Sequence, residues 1–221
     1  MHRLIHDPGH PISISETYDV ARQRPSGRPW IGVCMVASID GTTVVNRRSA
    51  GLTNATDTEV LVTLRSLADV IVVGAGTVRA EGYGPPRKPG QRIGVVTRTG
   101  NVDTTIALFT SGAGFVIMPA DGPAVGADSV RAGQGDVDLV GAFAQLDARF
   151  VQVEGGANLN GSLADADLID ELNLTLSPVI SGGDGPRVTA GAADVARRMD
   201  LVHVLEDDGF LFTRYVRRTS G

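Results

Sequence analysis

Asp69-Val-Ile-Val-Val-Gly-Ala-Gly-Thr-Val-Arg79 is an apolar, β-branched run that stops at a glycine and passes into a helix-compatible stretch. Such a run predicts a buried strand, and the Gly74-Ala-Gly76-Thr77 step predicts a turn into a helix. Phe150-Val-Gln-Val-Glu-Gly-Gly-Ala-Asn-Leu159 repeats the pattern further on, and Trp30-Ile-Gly-Val-Cys-Met-Val-Ala-Ser-Ile-Asp-Gly41 also ends at a glycine. A glycine turn between strand and helix lets a ligand approach the backbone and aims helix N-terminal N–H groups at an anion. Two such turns in one small domain point to a ligand with several phosphates, such as a dinucleotide.

Around these segments strands and helices alternate. Strand 30–36 leads to a turn at Asp40-Gly41 and then to Thr42–Val45. A helix is expected over 56–68, capped by Thr56 or Asp57, with Val60, Leu61, Leu64 and Leu67 on its apolar face. Strand 70–73 and a helix from Gly76 follow, then strands near 93–97 and 115–118. Glycine-rich stretches such as Ser111-Gly-Ala-Gly114 and Gly133-Gln-Gly135 punctuate the middle of the chain. Strand 149–153 precedes a helix at 157–164. Leu172, Leu174 and Leu176 alternate with Asn173, Thr175 and Ser177, which predicts a strand with one buried face. Val202–Glu206 and Phe210–Val216, joined by Asp207-Asp-Gly209, read as a hairpin. The pattern predicts an α/β fold: a mostly parallel sheet flanked by helices, with an antiparallel C-terminal hairpin. Residues 1–29 read as a leader with a short amphipathic helix in Ser13–Arg24, and 30–218 as a single domain. All three glycine turns fall at strand carboxyl ends, where open sheets of this kind bind ligands.

Composition narrows the function classes. The chain has 221 residues, 42% hydrophobic and 20% charged, ordinary values for a soluble globular protein. No apolar run approaches a bilayer span, and the N-terminus lacks a signal-peptide core. A net charge of −5 argues against nucleic acid as partner. Cys34 is the one cysteine, so no intrachain disulfide forms, and a reducing cytoplasm is expected. In its apolar strand Cys34 reads as a buried, inert thiol.

The motifs differ in weight. Gly74-Ala-Gly76 lacks the third glycine of the dinucleotide fingerprint, since Arg79 occupies that position. Glu154-Gly155-Gly156 is sharper, because its glycines expose backbone N–H groups and Glu154 can accept hydrogen bonds from ligand N–H groups. Thr97-Arg98-Thr99 follows a strand, and Arg98 is suited to a 2′-phosphate. His2, His6, His10, His203 and Cys34 cannot build the zinc-deaminase site, and no metal site is expected. The first three of those histidines read as part of a mobile end. No nucleophile elbow or Ser/His/Asp triad is recognisable.

Taken together, Ala37-Ser-Ile-Asp-Gly41, Asp69–Val78, Val153-Glu-Gly-Gly-Ala-Asn-Leu159 and Leu168-Ile-Asp-Glu-Leu172 resemble the RibD C-terminal reductase family of riboflavin biosynthesis. The resemblance runs over roughly 29–217 and implies a dihydrofolate-reductase-like fold. It implies NADPH-dependent reduction of 5-amino-6-(5-phosphoribosylamino)uracil, with hydride reaching the ribosyl C1′. By position it places Ala37, Gly51, Thr77, Glu81, Thr97 and the turn from Gly156 through Ala157, Asn158 and Leu159 to Ser162 at the cofactor, where the motifs above add Gly76, Arg98 and Gly155. It places Ser49, Arg65, Pro85, Lys88 and Glu154 at the substrate. Arg65 and Lys88, or the adjacent Arg87, would meet the phosphate, and Glu154 the pyrimidine. Members commonly dimerise, which makes the terminal hairpin a candidate interface. The chain departs from the family at Cys34, where bifunctional members carry lysine, at Gly51 (tryptophan) and at Glu81 (aspartate). Glu81-Gly-Tyr-Gly-Pro-Pro86 replaces an Asp-Asp-Pro pattern, and no deaminase domain accompanies the match. Two alternatives remain open: a dihydrofolate reductase, using Asp57 or Glu59 against a pterin, and an NADP-binding protein without turnover.

Overall fold

The computed structural model describes residues 1–4 and 12–218. His6 and His10, and the part of the expected leader around them, lie outside the described residues. Among these residues ten strands form one sheet: β1 (His2–Arg3), β2 (Trp30–Ser38), β3 (Val70–Gly74), β4 (Arg92–Val96), β5 (Gly114–Met118), β6 (Ser129–Arg131), β7 (Phe150–Val153), β8 (Glu171–Ser177), β9 (Met199–Asp207) and β10 (Phe210–Arg217). Among the described residues six α-helices accompany them: α1 (Ile14–Tyr18), α2 (Ala55–Leu67), α3 (Ala75–Glu81), α4 (Ala107–Thr110), α5 (Leu139–Ala144) and α6 (Ala157–Asp165). The sheet order is β1-β9-β10-β8-β2-β7-β3-β4-β5-β6. The run from β8 to β6 is parallel, while β10 joins β8 and β9, and β9 joins β1, in antiparallel register. The expected mostly parallel sheet with a terminal hairpin is therefore the observed one. The hairpin turns at Asp208-Gly209 with φ of 50° and 78°, the left-handed pair that a two-residue primed turn requires.

Burial explains the layers. Ile71, Val73, Ile93, Val95, Val116 and Met118 point to one face, where Ala75, Val78, Leu108 and Phe109 of α3 and α4 cover them. Val33, Val72, Ile117, Val151 and Val153 point to the other, beneath α5 and α6. Further along the first face, α1 and α2 bring Ile14, Tyr18, Val60 and Leu64 onto Leu205 and Phe212. The cap of α2 is Asn54, whose Oδ1 accepts from Asp57 N at 2.8 Å, rather than Thr56 or Asp57. Thr42–Val45 forms no strand, only a bridge from Val45 to Arg48. Sequence patterning missed α4, α5 and β6, which are three to six residues long and set between glycine turns.

β8 inverts its expected amphipathicity. Glu171, Asn173, Thr175 and Ser177 are the fully buried residues, and Leu172, Leu174 and Leu176 are half-buried. The polar face is buried because donors reach it. The Glu171 carboxylate accepts from Arg22 at 2.9 and 3.0 Å, Arg214 at 2.9 Å, Trp30 Nε1 at 3.2 Å and Asn173 Nδ2 at 3.0 Å. Burial by itself would raise its pKa, but the Arg214 and Arg22 guanidinium groups outweigh burial and hold it well below the ordinary carboxylate range, at about 2. Through Arg22, and through Arg28 on Asp170, residues of the expected leader are bonded into the sheet.

Candidate functional site

β2, β7 and β3 are neighbours in the sheet, so the three glycine turns at their carboxyl ends emerge side by side. The two helix-leading turns touch each other. Gly74 N donates to Gly155 O at 2.6 Å, and a Cβ on Gly156 would lie 2.9 Å from Thr77 Oγ1. A Cβ on Gly155 would meet Met35 Sδ at 2.8 Å. These glycines thus allow backbone to pack on backbone, a use the ligand-approach argument did not anticipate. Gly76 differs: a Cβ there would meet nothing nearer than Arg79 Nη2 at 4.0 Å. Space above Gly76 is open.

That space belongs to a cleft of about 260 Å³. Its floor is Cys34, Met35 and Val36 of β2, and one wall is Gly76, Thr77, Ala80 and Glu81 of α3 with Gly156 and Ala157. Ser49, Thr53, Asp57 and Leu61, then Thr43, Val44, Arg47 and Pro186, and finally Tyr83 and Glu154 complete the lining. The first turn of α6 has no side-chain cap, which leaves its N–H groups to a ligand. Open room over Gly76 beside this uncapped start fits the phosphates of a dinucleotide.

The Glu154 carboxylate accepts three side-chain hydrogen bonds. Arg65 grips it bidentately, Nε to Oε1 and Nη2 to Oε2, both at 2.6 Å, and Tyr83 Oη donates to Oε2 at 2.7 Å. The Arg65 guanidinium also lies 5.6 Å over the Tyr83 ring. Burial, with the Glu154 carboxylate beside it, pushes the Tyr83 hydroxyl well up, so it stays a donor. Asp57, in the first turn of α2, is 8% exposed; burial raises its pKa, and a hydrogen bond from Thr175 partly offsets this. Cys34 is half-buried rather than buried, with its thiol raised by burial first and the charge of Asp57 second. A thiol so raised is a poor nucleophile.

The remaining candidate residues divide. Ser49, Gly76, Thr77, Glu81, Glu154, Gly156 and Ala157 line the cleft, and Ser49 N donates to Glu81 Oε1 at 2.8 Å. Ala37 and Leu159 are buried, Asn158 is exposed, and Gly51 sits in an exposed 3-10 turn against Val45. Thr97 is buried at the end of β4, with Arg98 exposed beyond it. Three substrate candidates do not line the cleft. Arg65 is spent on Glu154, Pro85 is exposed, and Lys88 Nζ donates to the carbonyls of Ser66 at 2.9 Å and Ala68 at 2.8 Å, closing the end of α2. Tyr83 and Arg47 were missed. An aromatic flanked by Gly82, Gly84 and Pro85 in an exposed-looking loop was the available signal for Tyr83. Among the described residues no group of three or more His, Cys, Asp and Glu side chains is placed to hold a metal. No helix among them is long and apolar enough to cross a membrane.

Comparison with known proteins agrees with this geometry. The family profile of the RibD C-terminal domain matches residues 29–210. A curated relative, the 2,5-diamino-6-ribosylamino-4(3H)-pyrimidinone 5′-phosphate reductase of Aquifex aeolicus, is 26% identical over 80% of this chain and 89% of its own. A pyrimidine reductase-like protein from Corynebacterium diphtheriae superposes with a TM-score of 0.80 at 22% identity, over 95% of this chain and all of that one. Dihydrofolate reductase from Enterococcus faecalis, solved with NADP(H), superposes at 0.53 and 14% identity, over 87% of this chain and 98% of that one, which identifies the fold as dihydrofolate-reductase-like. Such a fold and family are consistent with a nicotinamide cofactor and a reductase role. With the profile spanning most of its length, this chain belongs to the RibD C-terminal domain family.

Proposed function

We propose that this protein is an NADPH-dependent reductase of riboflavin biosynthesis acting on 5-amino-6-(5-phosphoribosylamino)uracil. The observation that carries the reading is Glu154, a carboxylate held by Arg65 and Tyr83 in the lining of a cleft that is open over Gly76. A carboxylate fixed by two partners offers its remaining lone pairs to the N–H groups of a pyrimidine in one orientation. Bound NADPH would supply the hydride, delivered to the ribosyl C1′. Gly76, Thr77, Glu81 and the start of α6 would hold the cofactor, with Thr97 and Arg98 toward its 2′-phosphate. The chain itself needs no nucleophile; it aligns the substrate and limits access of water. A cytoplasmic homodimer goes with this reading; Leu174, Leu176 and Leu211 share one face of the β8–β10 pair and are half-buried, which leaves them for a second copy.

Asp57 favours a second reading. A largely buried carboxylate lining the same cleft suits a ring with a 2-amino group, as in a pterin or in the diaminopyrimidinone named for the Aquifex relative. NADPH oxidation followed by absorbance, with the uracil, its 2,5-diaminopyrimidinone counterpart and dihydrofolate in parallel, separates these readings. Turnover of the uracil supports the first. Turnover of the diaminopyrimidinone alone keeps the pathway and changes the substrate, and turnover of dihydrofolate alone refutes the riboflavin role. NADPH binding with no oxidation would leave a non-catalytic binding protein.

A further inference from the structure

Four charged side chains line the cleft: Asp57, Glu81, Glu154 and Arg47. A phosphorylated substrate entering such a site meets three carboxylates. Arg65, the cation that the resemblance assigns to the phosphate, is neutralised on Glu154, and Lys88 is turned to the end of α2. Arg47 is the cation left. Its guanidinium makes no hydrogen bond or ion pair with any described residue.

Its backbone supplies an independent observation. Val45 and Arg48 exchange backbone hydrogen bonds of 2.8 and 3.1 Å, with Asn46 at φ 50° and Arg47 at φ 67° between them. This is the left-handed pair of a primed two-residue turn, which favours glycine second. The hairpin turn at Asp208-Gly209 shows that choice in the same molecule. At 45–48 the glycine position holds an arginine, in a conformation that side chains adopt at a cost. A strained residue that lines a cleft and has no partner of its own is suited to a ligand.

We propose that Arg47 is the phosphate-recognition residue of this cleft and binds the ribosyl 5′-phosphate of the substrate. The assignment rests on the reductase reading above. The turn runs directly into Ser49 and Thr53, which line the same cleft as Asp57, Gly76, Thr77, Gly156 and Ala157. Arginine suits a phosphomonoester because its fork donates two parallel N–H groups.

Arg47→Gly is the informative variant, because glycine relieves the turn while removing the charge. Its thermal midpoint should equal or exceed that of the wild type. Its preference for phosphorylated over dephosphorylated substrate, taken as the ratio of kcat/KM values, should fall about 10- to 100-fold. Arg47→Lys should recover part of that preference. An unchanged preference, or a loss that appears in NADPH affinity instead, would overturn the assignment. If the wild type reduces neither pyrimidine, the reductase reading fails by itself. Calorimetric binding of ribose 5-phosphate then decides the role of Arg47: binding lost in Arg47→Gly supports it, and binding that is absent or persists in the variant refutes it.

Discussion

Glu154 has two donors of different kinds, and their removal should have different costs. Without Tyr83 the carboxylate keeps its ion pair and loses one orienting bond. Tyr83→Phe should therefore lower kcat/KM for the preferred pyrimidine by about tenfold. Glu154→Gln removes the charge that Arg65 faces and reverses half the acceptor pattern; a loss of about 100-fold is expected, with far-UV circular dichroism unchanged. Steady-state kinetics on the two variants tests the order of these effects, and equal losses would deny Tyr83 its supporting place. The pair was half visible in the sequence. Glu154 stood out because it ends an apolar run at two glycines. Its partners did not, since Arg65 lies 89 residues away and Tyr83 lies 71 away, distances over which no periodicity reports contact.

At the level of elements, the connector 178–198 is a strap across the cleft and α6. Pro186 O accepts from Thr43 N at 2.8 Å, Val188 O from Asn160 Nδ2 at 2.8 Å, and Ala190 N donates to Ala157 O at 3.0 Å. Asp40 fastens its start, accepting from Gly182 N at 2.7 Å and Ser181 N at 3.2 Å. The Asp40-Gly41 turn is thus an anchor as well as a change of direction. Gly161 makes the close fit possible, since a Cβ there would collide with the Ala190 carbonyl. Gly161→Ala should lift the strap and destabilise the protein by about 2 kcal/mol, read as a lower urea midpoint. Strands β2, β3 and β7 were legible as long apolar runs closed by glycine. The strap was not, because its order comes from backbone bonds to distant elements. The polarity of β8 was unreadable for the same reason, as Glu171 is buried by Arg22 and Arg214, 149 and 43 residues away.

For the whole molecule, acid should act in two steps. His203 is 4% exposed and edge-on to Tyr18 at 5.1 Å; burial first, and then the Arg214 and Arg3 charges, lower its pKa from 6.5 to about 4. The unfolded chain therefore binds a proton that the folded one refuses, and stability falls as pH drops through that window. The loss should reach about 2 kcal/mol near pH 5, measured as the fall in unfolding free energy, and His203→Phe should flatten it. Below about 4.5 the ion pairs of Glu171 add a second loss, complete only near its folded value of about 2. Self-association belongs to this scale too. Leu174→Arg places a charge amid Leu172, Leu176 and Thr213 on this half-buried face, and should convert the proposed dimer to monomer in sedimentation velocity.

The bond from Gly74 N to Gly155 O joins two strand ends beneath the cleft. Mechanically, it ties the ends of β3 and β7 into one joint beside the β2 floor. Adjustment to a ligand is then expected away from this joint, at 42–48. The Gly74 amide is then a clock for the joint, exchanging with deuterium at the pace of global unfolding whether or not a ligand is bound.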